Sequence, residues 1–244
     1  MSGAAAETPR SGTASAAKPD RDCPLCPRLK AFREGLRQKE PTWFNAPVPC
    51  FGPRTARLLI VGLAPGLQGA NRTGRPFTGD HAGVLLYDTL GRFGFARGNY
   101  GAHPDDGLEL VDARITNAVR CVPPENKPIG SEIATCRGFL KGVIAEMPNL
   151  AAILVLGRIA HDSVIAALGE RPKAALFGHG ASHQIGKIQL FCSYHCSRYN
   201  TNTGVLTRDM FHAVFCQVRS YLDARSHAIT LGRSCRAETR GRTS

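Results

Sequence analysis

Short apolar runs alternate along this chain with longer stretches that place apolar residues at helical spacing. The runs are Arg57–Gly62 (RLLIVG), Asp112–Asn117 (DARITN), Ala151–Leu156 (AAILVL) and Lys187–Ser193 (KIQLFCS). Such short, mostly continuous runs suit strands covered on both faces. Helical spacing follows in Ala82–Phe95, in Ser131–Met147 with Ser131 as the expected N-cap, and in Ile159–Leu168, which stops at Gly169. Thr207 is positioned to cap a last helix running to about Leu222. Strand–helix alternation predicts an α/β fold: a three-layer α/β/α sandwich with a central, mainly parallel four-stranded sheet. In such sheets ligands bind in the loops at the carboxyl ends of the strands.

Those loops hold the residues with useful chemistry. After the first strand comes GLAPGLQGANRTGRPFTGD (Gly62–Asp80). Its glycines allow a ligand close to main-chain N–H groups. It matches neither GxxxxGK[ST] nor GxGxxG, which argues against a nucleotide-phosphate loop. Phe77 is either a core aromatic or a platform on which a base stacks. Asp80, the only carboxylate of the stretch, is either the N-cap of the helix beginning near Ala82 or an ionised carboxylate that handles water, and the two roles are compatible. Asn117 ends the second strand and His195 follows the fourth. An amide offers both donor and acceptor to a base edge, and a neutral imidazole can donate to a departing anion.

Composition narrows the partner. The chain has 31 Lys and Arg against 19 Asp and Glu, a formal net charge of +12. That balance points first to nucleic acid. No apolar run reaches the roughly 20 residues needed to cross a bilayer, and the N-terminus lacks a secretory apolar core, so a cytosolic protein is expected. Residues 1–20 read as a disordered tail, 21–223 as one domain, and 224–244 as a flexible basic arm. The odd count of nine cysteines does not suit a disulfide framework. Cys23-x-x-Cys26, with Cys121 and Cys136, supplies four thiolates for either a structural zinc or a 4Fe–4S cluster, and spacing alone leaves both open. Cys192 and Cys216 fall in apolar runs and are expected in the core.

Four segments together resemble the family 5 uracil-DNA glycosylases. They are NAPVPCFG (Asn45–Gly52), the Gly62–Asp80 loop, ITNAVRCVPPENKP (Ile115–Pro128), and HCSRYNTNTGVLT (His195–Thr207). The likeness runs from about Asp22 to Leu222. It implies an enzyme that flips uracil, and other deaminated bases such as hypoxanthine, out of DNA and hydrolyses the N-glycosidic bond. It further implies that Cys23, Cys26, Cys121 and Cys136 hold a 4Fe–4S cluster of structural role. Phe77, Asn117, Gly62 and Ala64 would line the base pocket, with His195 donating to the departing base. Ala64 stands where several branches of the superfamily carry Asp or Asn, which shifts the handling of water to Asp80. Arg72, Arg75, Ser197, Arg198, Tyr199 and Asn200 would contact DNA, Tyr199 as a wedge. Cys196 replaces the proline frequent in related last motifs. The resemblance also implies a bacterial or archaeal cytosol or nucleoid, and a monomer suffices. Two rivals remain at this level: a non-catalytic binder of damaged or single-stranded DNA, and an unrelated nucleotide-binding enzyme with zinc.

Overall fold

The computed structural model describes residues 18–240. Its elements, in chain order, begin with α1 (Pro27–Lys39), β1 (Leu58–Gly62), α2 (Ala70–Thr73) and α3 (His81–Arg92). A small hairpin of β2 (Ala96–Arg97) and β3 (Glu109–Leu110) leads to β4 (Ala113–Asn117) and α4 (Gly130–Ala145). Then come β5 (Ala152–Leu156), α5 (Arg158–Ala167), β6 (Ser182–Ile185), β7 (Ile188–Ser193), α6 (Arg198–Asn202) and α7 (Arg208–Arg240).

The main sheet has the order β4-β1-β5-β7-β6. The four expected strands are its parallel part, with Leu58 beside Ala113 and Ala152, and Ala152 beside Gln189. The fifth strand, β6, was not expected. It pairs antiparallel to β7 through a tight turn, with Ile185 opposite Ile188 and Gly186 at φ 55°. Its residues are only partly covered, so it carries no apolar run. At the opposite edge Phe51 exchanges two main-chain hydrogen bonds with Ile115, which shields β4.

Successive residues of each strand serve opposite faces. Leu58, Ile60, Ile115, Leu154 and Phe191 pack with α3 and α7, whereas Leu59, Val61, Ile153, Val155 and Leu190 pack with α4 and α5. This is the expected three-layer sandwich.

Several boundaries differ from expectation. Ser131 is not a cap: α4 begins at Gly130, and the Glu132 carboxylate accepts the Ile129 N–H. The segment after the Cys-x-x-Cys pair forms α1, whose buried positions Leu29, Arg33 and Leu36 follow helical spacing. The last helix continues past Leu222 to Arg240. Residues 1–17 of the expected N-terminal tail, and 241–244 at the other end, lie outside the described residues. Cys192 is buried as expected, but Cys216 lies on the exposed face of α7. Among the described residues, no helix is long and apolar enough to cross a membrane.

Candidate active site

The carboxyl ends of β1, β4, β5 and β7 open into a cavity of about 880 Å³. From β1 and its loop come Ala64, Gly66, Gly69, Phe77 and Asp80; Asn117 comes from β4 and His195 from β7. The strand-end rule therefore brings together residues distant in sequence.

Gly62 lets two side chains converge. A Cβ there would stand 2.5 Å from Asn117 Oδ1 and 2.6 Å from Phe77 Cζ. Asn117 is 4% exposed, and its Oδ1 has no hydrogen-bond partner. An unpaired buried carbonyl oxygen costs about 1–3 kcal/mol, which a ligand N–H at this point would recover. Phe77 has φ 53°, a strained geometry for an aromatic residue. Its surroundings hold it there: its carbonyl accepts from Tyr100 O–H at 3.1 Å, and the preceding Pro76 carbonyl accepts from Tyr87 O–H at 2.6 Å. The Phe77 and His195 rings face each other, 5.9 Å between centroids and 30° between planes.

Asp80 is the N-cap of α3, and its Oδ1 accepts the Gly83 N–H at 3.1 Å. Its Oδ2 turns the other way, beside Gly66 and Gly69. Burial pushes the carboxyl pKa up, against the pull of the Gly83 and Ala82 N–H groups and of His81. Burial pushes the His195 imidazole down, so it is neutral at pH 7.

The last motif is anchored from both sides. Asn200 Nδ2 donates to the His195 carbonyl at 2.8 Å, and Ser197 caps α6 by accepting the Asn200 N–H. Cys196 is fully buried with its Sγ 3.6 Å from the Ala82 carbonyl, so it docks the loop on α3. Ser197 and Arg198 line the cavity; Tyr199 projects beyond it, 74% exposed. Asn200, half-buried, hydrogen-bonds within the loop.

The two arginines of the first loop part company. Arg72 is exposed. Arg75 is 5% exposed and forks onto Asp106 at 2.7 and 2.6 Å, with its guanidinium over the Phe51 and Tyr87 rings. Arg75, expected at the DNA, thus points inward and braces the loop. The sequence reading also missed Gly157, Arg158 and Ile159, which line the cavity after β5, and Asn126 and His81. The first three follow from the strand-end rule applied to AAILVL; Asn126 carries no local signal.

Cys23, Cys26, Cys121 and Cys136 line one small space behind Ala64, between α1 and α4. Among the described residues no three His, Cys, Asp or Glu side chains stand close enough to share a single metal ion. Hydrogen-bond donors nevertheless face two of the sulfurs. Arg33, 1% exposed, points Nη1 at Cys121 Sγ at 3.4 Å, and the Arg120 N–H points at Cys136 Sγ at 3.3 Å. Burial pushes the Cys136 thiol up to about 12. A thiol held so high ionises only when a cationic centre takes the place of its proton.

Comparison with known proteins agrees with this geometry. The profile described as "Uracil DNA glycosylase superfamily" matches residues 49–219. A "Type-5 uracil-DNA glycosylase" of Thermus thermophilus is 44% identical over 204 residues, covering 81% of this chain and 92% of that protein. One of the same name from Pyrobaculum aerophilum is 38% identical over 190 residues, 76% of this chain and 83% of the relative. A "Type-4 uracil-DNA glycosylase" of Pyrobaculum aerophilum is 32% identical over 181 residues, 72% of this chain and 78% of the relative.

Proposed function

Because the chain belongs to the uracil DNA glycosylase superfamily, we propose that this cavity receives a nucleotide flipped out of DNA and that the protein hydrolyses its N-glycosidic bond. Uracil is the principal base, with hypoxanthine and related deaminated bases as further substrates. The observation that carries this reading is the unpartnered, buried Oδ1 of Asn117 beside Phe77 and His195.

Bond cleavage leaves positive charge on the sugar and negative charge on the base. Asn117 Oδ1 accepts the N3–H of uracil, and its Nδ2 donates to O4. Cytosine presents a donor and an acceptor in the reverse order and is rejected. Phe77 holds the base by its face. Neutral His195 donates to O2 as charge develops there. Ala64 offers water nothing, so ionised Asp80 does two jobs. Its Oδ1 stays on the helix N-terminus, while Oδ2 orients the attacking water and balances the sugar cation. Arg72, Arg198 and the basic surface hold the phosphates, and Tyr199 fills the gap left by the flipped nucleotide.

The four cysteines fit an iron–sulfur cluster, whose ligands lie farther apart than those of one zinc ion. When bound, it supplies a structural clip between the N-terminal segment and the domain. Arg33 and the Arg120 N–H would offset the charge of the ligating sulfurs.

Release of free base from duplex and single-stranded oligonucleotides containing uracil, hypoxanthine, xanthine or cytosine tests the reading. Uracil released, cytosine untouched and alkali-labile abasic sites left behind are expected. Tight binding without release would make the protein a lesion binder.

A further inference from the structure

Arg28 lies two residues after Cys26, in the first turn of α1, yet its partners are about a hundred positions away in sequence. Its Nε and Nη2 fork onto the two oxygens of Glu132, each at 2.8 Å. Nη2 also donates to the Lys127 carbonyl at 3.0 Å. Glu132 is 3% exposed and accepts the Ile129 N–H as well, one turn before Cys136 on α4. One guanidinium thus joins both cysteine-bearing elements to the loop Pro123–Pro128.

That loop reaches the cavity, where Asn126 forms part of the wall. Its backbone is costly to hold, since Glu125 and Asn126 have φ 54° and 57° in succession. Three prolines restrict it, and two internal main-chain bonds close its turn. Among the described residues, Arg28 is the only side chain that hydrogen-bonds the loop's main chain. A lysine cannot replace it, because only the planar fork meets a carboxylate bidentately and a carbonyl beside it.

We propose that Arg28 is a positioning residue for base excision: from the cysteine-bound start of α1 it fixes the Lys127 carbonyl and the Glu132 carboxylate, and so sets Asn126 at the cavity wall. The start of α1 and the Asn126 loop are then joined through this side chain, alongside the covalent path from Cys121 to Pro123. The kinetic part of this inference rests on the glycosylase reading; the structural part does not.

The test uses the full-length, metal-loaded protein and the variants Arg28→Gln, Arg28→Lys, Asn126→Ala and Arg28→Gln/Asn126→Ala. Hydrogen exchange is followed by mass spectrometry, and single-turnover cleavage on a uracil duplex. In Arg28→Gln, peptides spanning 123–129 are expected to exchange about tenfold faster or more, while those of β5 and α5 keep their rate. Cleavage is expected to fall about tenfold with little change in DNA affinity, and Arg28→Lys to lie between. In the Asn126→Ala background the Arg28→Gln change is expected to cost nothing more, because its effect passes through Asn126. Native exchange of 123–129 in Arg28→Gln, or an undiminished cost in the double variant, would overturn the proposal. If Arg28→Gln loses its metal, Arg28→Lys carries the same comparison. Should the parent release no base, the exchange result still decides the role of Arg28, and the glycosylase reading fails separately.

Discussion

The Oδ2 atom of Asp80 fills the space that a side chain on Gly69 would need: a Cβ at that glycine would stand 2.4 Å from it. Gly69 has φ −98° and ψ −111°, outside the helical and extended regions, so backbone and carboxylate both favour glycine there. Gly69→Ala should displace Oδ2 and lower single-turnover cleavage about 10²-fold, as misplacing a reacting group does. At Gly66 the same Cβ would be 3.3 Å from Oδ2, and Gly66→Ala should cost only a few-fold. Equal rates for the two variants would separate Asp80 from the chemistry.

Asp80→Asn distinguishes catalyst from cap. Asparagine caps a helix as well as aspartate does, so the fold should persist. Burial raises the Asp80 pKa above its unfolded value. The folded state therefore binds the proton more tightly, and the charged form costs stability as pH rises through that pKa. Asp80→Asn should melt no lower than the parent at pH 8, while cleavage falls about 10²–10⁴-fold. Calorimetry and single-turnover kinetics on the same preparation check both.

Cleavage should depend on pH in a way set by the same group. Water activation needs the ionised carboxylate, so the rate rises as pH passes the Asp80 pKa, which burial raises from the ordinary aspartate value. His195, held below its ordinary value by burial, stays neutral and able to donate from pH 7 upward. The single-turnover rate should climb from acid and then level, and Asp80→Asn should remove the climb. His195→Ala should lower the rate about 10²–10³-fold without removing it.

Arg72 and Arg75 should behave oppositely. Arg72→Ala should leave melting unchanged and reduce the salt slope of DNA binding by about 1, the loss of one phosphate contact. Arg75→Ala abandons Asp106, whose carboxyl the Arg75 guanidinium holds well below the usual range. Breaking a pair buried this deeply should cost about 3–5 kcal/mol in denaturant unfolding. A folded Arg75→Ala protein with only a weakened DNA affinity would restore the outward role first expected of it.

Much of the molecule is written in local pattern. The runs RLLIVG and AAILVL have no polar face, and strands of that kind must be covered on both sides. Asn117, His195 and the Gly62–Asp80 loop were legible because each ends or follows such a run, where a parallel sheet gathers its chemistry. Strand β6 was not legible, because a half-exposed edge strand needs no apolar run.

What the sequence by itself determined is thus the layered fold and the set of side chains that meet at one end of its sheet, since both follow from periodicity and strand ends. Which way each side chain faces was decided only in three dimensions. Arg75 turns inward to Asp106 and Arg72 outward, three residues apart in one loop. Asp80 serves helix and cavity at once, because capping occupies one oxygen and two glycines clear room for the other. Arg28 meets Glu132 and Lys127 because the α1 and α4 ends meet beside the cysteines. Such pairings depend on contacts between elements far apart in the chain, which no local spacing encodes.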